Sequence, residues 1–336
     1  MRDLLAIMPA EMFLLLRATT AIVIHQDIRP AHYRLETGAI YIDPGYLWLT
    51  NEEKATINKK MDFRVEYGSD LQFREVGRLV INNQYPAKGY SLTGTEERTI
   101  DEILVSVSGL FYHELVHAND CMPPSEYDNL RLAKSFQQNL DDIMNQDQCV
   151  HQQLVAQFPL TSSVWQGLSD VLYQGGSSSA AQRKFTPADV GSEFGADMAT
   201  ATYSFSSEWE DTAMAFESVL MKYSFDADLD VVIVPNFDLS SDDITCEQLV
   251  IKWGQRGRLG DPNVMARSQL VIAAILPDLD LEDFYAAQPA PIQITPDTSF
   301  CTLDYTSTLP TADASVSITE AKQRVRNSVF KREHRF

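Results

Sequence analysis

The segment His113-Glu114-Leu115-Val116-His117 holds two imidazoles four residues apart, with a carboxylate directly after the first. On a helix, residues four apart project from one face, so His113 and His117 can bind one zinc ion. Glu114 can hold a water molecule at the metal and take its proton, because zinc lowers the pKa of that water. The spacing therefore predicts metal-assisted hydrolysis with Glu114 as general base.

The residues around this segment predict the helix that the spacing requires. Thr99 and Glu102 have the spacing of a capping box, which marks the start of a helix. Pro123 ends any helix that reaches it. An apolar face lies between these limits, at Ile103, Val107 and Leu110. Such a face predicts burial, and a buried helix rarely carries His, Glu and His unless they are paired or metal-bound.

A catalytic zinc site needs a third protein ligand. The metzincin pattern would place glycine at position 120 and histidine at position 123, but the chain has Asp120 and Pro123, which excludes that class. The other histidines lie in no recognisable ligand context: His25, His32, His151 and His334. A glutamate from a second helix is therefore the natural alternative.

The segment from about Ser207 to Lys222 predicts such a helix and supplies Glu210 as the preferred third ligand. A competing interpretation exists, because Ser207 and Glu210 also have the spacing of a capping box, which would turn the carboxylate back to the backbone. Glu217, two turns further on, and Glu208 are the alternatives for the third ligand.

The HExxH segment together with a later Glu-Asp-x-Ala segment resembles the gluzincin superfamily of zinc peptidases. The resemblance covers residues 113–120 and 208–217. It implies one zinc ion per chain held by the two histidines and Glu210, with Asp211 as a neighbouring or packing residue. The chain departs from the family at Met214, where an acidic residue is common, so the residue at this position is not expected to orient a ligand.

Peptide hydrolysis also needs a donor that stabilises the oxyanion of the tetrahedral intermediate. The resemblance implies a tyrosine or histidine on a nearby segment. Tyr203, just before the glutamate helix, is the candidate, and Tyr223, just after it, is the alternative. Asn119 and Asp120 follow the second histidine within one turn. Either could accept a hydrogen bond from a ligand imidazole, although Asn119 also suits a helix C-cap.

The element pattern predicts an α+β fold, mainly helical and zincin-like, with a small mixed β-sheet over the HExxH helix. Residues 1–98 form its β-rich part, residues 99–224 carry the ligand helices, and residues 225–336 pack on the same body with a wrapping tail. A strand at 20–24 or 39–43 is expected to be the edge strand that pairs with an extended substrate. The segment 184–205 is predicted as a loop that lines the cleft, with Gly191 and Gly195 as hinges.

Composition limits the partners of the chain. Its 336 residues include 47 acidic and 27 basic side chains, for a net charge of −20. Such a surface repels phosphates, so nucleic acid is not expected as a partner. No uninterrupted apolar run reaches about 18 residues, the length that predicts a membrane-spanning helix.

The four cysteines allow two disulfides or four free thiols. Cys121 and Cys149 would close a short loop just after the HExxH segment, which favours a bridge between them. None of the cysteines belongs to a CxxC pair, so a cysteine-based zinc ribbon is not expected.

These observations predict a zinc-dependent peptidase that acts on a peptide or protein substrate. The alternative is a catalytically silent zincin-like binding or scaffold protein that keeps the metal. A third class is an amidase acting on cell-wall peptide. We expect a cell-envelope, periplasmic or secreted location, although no signal peptide is visible. The oligomeric state is left open.

Overall fold

A computed structural model describes residues 1–88, 90, 92–238 and 244–303. It confirms the predicted α+β class, in which helices predominate and the strands form two small sheets. Residues 304–336, which include the last part of the predicted wrapping tail, lie outside the described residues. Within the described part of the chain, no helix combines the length and apolar character needed to cross a membrane.

The α-helices follow one another along the whole described chain. Their bounds are α1 (Arg2–Leu5), α2 (Glu11–Leu15), α3 (Asn51–Ala55), α4 (Ile100–Asn119), α5 (Phe136–Met144), α6 (Val150–Gln157), α7 (Ser163–Tyr173), α8 (Pro187–Ala196), α9 (Glu208–Phe225), α10 (Pro262–Ile275) and α11 (Glu282–Ala286). The strands are β1 (Ala21–Ile24), β2 (His32–Arg34), β3 (Ala39–Ile42), β4 (Phe73–Val80), β5 (Asp228–Pro235), β6 (Trp253–Arg256) and β7 (Ile292–Gln293).

The first sheet is mixed and has the strand order β1-β3-β2. Strand β1 runs parallel to β3, whereas β2 is antiparallel to it. The segment 39–43 is therefore wrong as an edge strand, because β3 pairs on both sides. Strands β1 and β2 form the two edges, and it is β2 that contacts α4.

The second sheet is antiparallel in the order β4-β5-β6-β7. Alternate residues of β5 face two different hydrophobic clusters: Val231 and Ile233 on one side, Val232 and Val234 on the other. Because both faces are covered, the strand has a continuous apolar run instead of an alternating one. Strand β4 of the N-terminal part thus pairs directly with β5 of the C-terminal part.

Helices α4 and α9 pack against each other at the centre of the largest hydrophobic cluster. The predicted capping box starts α4: Glu102 donates its N–H to Thr99 Oγ1 at 3.3 Å, and Thr99 donates its N–H to Glu102 Oε2 at 2.9 Å. Ser207 caps α9. Helices α6 and α10 pack on the other sides of α9 and on each other, so α9 is held from three directions.

The segment 184–205 is not the predicted loop, since its central part forms α8 and both ends form short 3-10 turns. Thr186 caps this helix and Pro187 occupies its first position, where the missing N–H is tolerated. Both glycines lie inside α8 against Trp253; a Cβ on Gly191 would meet the Trp253 side chain at 2.3 Å, and one on Gly195 at 2.9 Å. They allow close packing between α8 and β6 and are not hinges.

Two disulfides cross-link the chain. Cys121–Cys149 joins the end of α4 to the start of α6, as the short loop favoured, and Cys246–Cys301 closes a longer segment near the second sheet. Cysteine pairs of this kind form and persist in oxidising compartments.

Candidate metal centre

Helices α4 and α9 bring His113, His117 and Glu210 together. His113 Nε2 lies 2.8 Å from Glu210 Oε2, and His117 Nε2 lies 3.6 Å from the same oxygen. All three side chains are buried, and their potential ligand atoms lie within 4.8 Å of one another. We call these three residues the histidine–glutamate site.

The geometry of the histidine–glutamate site fits a zinc ion. Ligand atoms about 2.0–2.1 Å from a tetrahedral zinc ion lie roughly 3.3–3.4 Å apart. The two nitrogen–oxygen separations of 2.8 and 3.6 Å bracket that value. Two imidazoles and one carboxylate are also donors that zinc accepts, and three protein ligands leave a fourth position for water or substrate.

The first turn of α9 explains why Glu210 faces the histidines. Ser207 Oγ accepts the N–H of Glu210 at 3.2 Å, but the Glu210 carboxylate faces α4 and does not complete the capping box. Its neighbours are fixed separately: the Trp209 ring lies 4.8 Å from the His151 ring, and Asp211 Oδ1 accepts from Arg267 Nη1 at 2.9 Å. Three consecutive side chains thus contact three different elements.

Asp211 and Arg267 form an ion pair in the protein interior. Burial raises the pKa of Asp211, and the charge and hydrogen bonds of Arg267 act in the opposite direction. The Arg267 side chain is completely buried, and it also donates to the backbone oxygen of Phe158 at 3.0 Å. The pair therefore ties the start of α9 to α10 and to the end of α6.

The alternative third ligands have other positions. Glu208 is exposed. Glu217 lies on the far side of the His113 ring from Glu210, and its Oε2 accepts a hydrogen bond from His113 Nδ1 at 3.2 Å. Burial lowers the pKa of His113, but the carboxylates of Glu210 and Glu217 outweigh burial and raise this pKa to about 10. The surroundings of this imidazole therefore favour positive charge, whether a proton or a metal ion supplies it.

Glu114 is almost fully buried, with 1% of its surface exposed, and lies beside strand β2. Its carboxylate accepts the backbone N–H of Tyr33. Burial is the main reason that the pKa of Glu114 rises to about 7; the neighbouring histidines oppose the rise. The position expected for a general base is thus occupied by a buried carboxylate beside both histidines.

The tyrosines lie at different distances from the site. Tyr203 is fully buried, and its ring centroid is 6.1 Å from that of His113. Tyr223 is 45% exposed and packs on Phe284. Tyr46 was not predicted to lie near the site; burial and, to a smaller extent, carboxylates that include Glu114 raise its pKa to about 12. Only its position in the DPG turn after β3 could have drawn attention to it.

Neither residue expected to orient a ligand imidazole does so. Asn119 donates to the backbone oxygens of Leu15 at 3.0 Å and Leu115 at 2.7 Å. Asp120 binds His151, whose Nδ1 lies 2.5 Å from Asp120 Oδ2. The orienting contact on His113 comes from Glu217 instead.

A second group of potential ligands lies just beyond α4 and was also missed. It consists of Asp120, Cys121, Cys149 and His151, and we call it the cysteine cluster. In the sequence, the cluster is visible only as an Asp-Cys pair and a later Cys-x-His triplet. Patterns as short as these are too common to identify a metal site.

Comparison with protein-family models, with curated proteins and with solved structures finds no match to this chain.

Proposed function

We propose that this chain is a zinc-dependent peptidase whose metal is held by the histidine–glutamate site. The observation that carries the proposal is the convergence of Glu210 on the two HExxH histidines from a separate helix, with Glu114 beside them. A helix carrying His, Glu and His by chance would not be expected to meet a buried carboxylate at ligand distance from both imidazoles.

The residues of the chain divide the work of hydrolysis. A bound zinc ion would supply Lewis-acid polarisation of the scissile carbonyl and lower the pKa of water. His113, His117 and Glu210 hold the metal ion, and Glu217 fixes the ring of His113 through Nδ1. Glu114 accepts a proton from the attacking water on its carboxylate and returns it to the departing amine nitrogen.

A peptide substrate is favoured by the neighbourhood of Glu114. Strand β2 lies at the edge of its sheet, and the N–H of Tyr33 in this strand is donated to Glu114. The edge of the sheet is therefore next to the general base. Extended peptides bind such edges by strand addition, which would place a backbone amide close to the metal.

The two disulfides support the expected cell-envelope, periplasmic or secreted location, because reducing compartments keep cysteines as thiols. A peptide or protein outside the cytosol is accordingly the substrate that we propose.

Glu114→Gln tests the mechanism. The variant should keep about one zinc ion per chain, since Glu114 is not in the ligand set. It should lose roughly 10²–10⁴-fold in turnover, because glutamine cannot accept the proton. Zinc is measured by elemental analysis, and cleavage of a peptide library by mass spectrometry.

Undiminished turnover in Glu114→Gln would refute the mechanism. Stoichiometric zinc in the wild type without cleavage of any library peptide would favour the silent binding protein instead. Activity on a cell-wall digest alone would favour the amidase.

A further inference from the structure

The cysteine cluster has the composition of a closed metal site. Potential ligand atoms of Asp120, Cys121, Cys149 and His151 lie within 4.8 Å of one another, and all four residues are buried. Structural zinc sites use four such ligands, drawn from thiolates, imidazoles and carboxylates. We propose that the cysteine cluster is a second metal site, which binds a zinc ion once a dithiol reductant has opened the Cys121–Cys149 disulfide.

The separations between the donors support this assignment. Cys121 Sγ lies 3.6 Å from Asp120 Oδ2. A sulfur at about 2.3 Å and an oxygen at about 2.1 Å from a tetrahedral zinc ion lie roughly 3.6 Å apart. Asp120 Oδ2 and His151 Nδ1, now 2.5 Å apart in a hydrogen bond, would need to separate by on the order of 1 Å. The two sulfurs, now joined by a covalent bond, would have to separate to roughly 3.8 Å, the spacing of two thiolates at about 2.3 Å from a tetrahedral zinc ion, and reduction frees them to do so.

A cross-link alone does not explain the composition of the cluster. In the described part of the chain, the other disulfide, Cys246–Cys301, belongs to no such group of ligands. Burying a carboxylate and an imidazole requires removing both from water, which is unfavourable unless the pair has compensating interactions. Asp120 Oδ1 accepts the N–H of His151 at 2.8 Å in the first turn of α6, so one oxygen has a capping role. The other oxygen faces the His151 ring and the Cys121 sulfur.

The chemistry of the exchange balances. An external dithiol reduces the Cys121–Cys149 bond to two thiols with two electrons and two protons, and is itself oxidised to a disulfide. Zinc binding then takes both sulfurs as thiolates and releases two protons to solvent. The proton on His151 Nδ1 passes through solvent to Nε2, and the hydrogen bond between Asp120 and His151 is exchanged for two bonds to the ion.

Either link fixes the same junction. The disulfide and the proposed ion each join the end of α4 to the start of α6, and the ring of His151 contacts Trp209, directly before Glu210. A newly made chain begins with reduced cysteines, so an ion at this position would hold the junction until the disulfide forms. The cysteine cluster goes beyond the proposed function and does not depend on it.

Cobalt absorption of the full-length chain tests the assignment. The protein is stripped of metal, reduced with dithiothreitol, desalted under inert gas to remove the reductant, whose thiols also bind cobalt, and titrated with Co²⁺. We expect a thiolate-to-cobalt charge-transfer band in the near ultraviolet that saturates between about one and two added ions per chain, because the histidine–glutamate site also takes Co²⁺ without adding to the band, and that is abolished by Zn²⁺. The histidine–glutamate site contains no sulfur, so the band reports only on cysteine ligands, and failure of one proposal is distinguishable from failure of the other.

Matched variants identify the ligands. Cys246→Ser/Cys301→Ser removes the other two thiols and should keep the band. In that background, Asp120→Asn and His151→Ala should each weaken Co²⁺ binding at least about tenfold, since even outer-shell changes have effects of that size. Circular dichroism of the reduced protein shows whether it stays folded.

Two results would overturn the proposal. One is a folded, reduced Cys246→Ser/Cys301→Ser protein with no charge-transfer band. The other is a band with the same Co²⁺ affinity in Asp120→Asn and His151→Ala as in their parent. That result would mean that the cysteines bind the metal without Asp120 and His151, as they could also do in a chain that reduction has unfolded.

Discussion

The histidine–glutamate site lies on α4 and the cysteine cluster lies just beyond its end, and each has a histidine whose Nδ1 meets a carboxylate. In the first, Glu217 takes Nδ1 of His113 and leaves Nε2 facing Glu210. In the second, Asp120 on Nδ1 of His151 is itself one of the four potential ligands. Three donors leave a metal ion an open position for chemistry, whereas four close it. The number of donors, more than their type, therefore separates a candidate catalytic site from a structural one.

The two sites are also supported by different kinds of bond. A covalent bond, Cys121–Cys149, holds the cysteine cluster. The start of α9, which presents Glu210, is tied to α10 by the buried ion pair of Asp211 and Arg267. Trp209 connects the two regions by contacting His151.

The largest expected effect is on zinc binding, which should be lost when a histidine of the histidine–glutamate site is replaced but not when the histidine of the cysteine cluster is. In the oxidised protein, His117→Ala should abolish zinc binding, because it removes one of three ligands. His151→Ala is the matched control and should keep about one zinc ion per chain, since the cysteine cluster is closed by its disulfide. Elemental analysis measures both. Equal zinc loss in the two variants would contradict the separation of the sites.

The next largest effect is expected on the free energy of unfolding, when the buried ion pair that holds the start of α9 is broken. Asp211→Asn leaves the buried Arg267 without its counter-charge, and we expect a loss of about 3–5 kcal/mol in the free energy of unfolding. Asp297→Asn, which breaks the exposed pair with Lys252, should change it by less than about 1 kcal/mol. Urea denaturation of the oxidised proteins gives both values. Similar losses in the two variants would show that burial does not increase the contribution of the Asp211–Arg267 pair to stability.

The difference between the two sites also explains what could be predicted from sequence. The ligands of α4 are four residues apart and follow a capping box, so local rules were enough to place both histidines on one helix face. Glu210 could be proposed because it lies on a second amphipathic helix and matches a family pattern. Its competition with the Ser207 capping box could be resolved only by tertiary contacts.

The cysteine cluster could not be predicted in this way. His151 and Asp120 are 31 residues apart, and no local periodicity joins positions that meet only after α5 and α6 have packed. Strand β2, at three residues, is too short to show an alternating pattern, so the edge strand beside Glu114 was missed. Helix α8 was predicted as a loop because of its two glycines and several small residues, although Thr186 and Pro187 start a helix there.

A smaller effect is expected from the carboxylate on Nδ1 of His113. Glu217→Ala should weaken zinc binding by roughly 10–100-fold, the usual consequence of losing a partner that orients a ligand. Glu217→Gln, which can still accept the hydrogen bond, should recover part of the affinity. Competition with a chelating dye measures it. Glu208→Ala, on the exposed side of α9, is the control. Wild-type affinity in Glu217→Ala would mean that Glu210 alone positions the ring.

The smallest effect concerns the space that Glu217 occupies. A Cβ on Gly109 would lie 3.3 Å from Glu217 Oε1 and 3.5 Å from Met221 Sδ, so Gly109→Ala should displace the carboxylate by a few tenths of an ångström. Alanine also favours the helix by about 1 kcal/mol, so we expect little net loss of stability but a zinc affinity lowered by a few-fold.

A double-mutant cycle decides whether this effect passes through Glu217. If it does, Gly109→Ala should have no further effect on zinc affinity once Glu217 is alanine, because the displaced group is gone. The same few-fold loss in both backgrounds would show instead that the added methyl group shifts α4 and its histidines directly. Glu217 would then lie beside His113 without its position controlling the metal site.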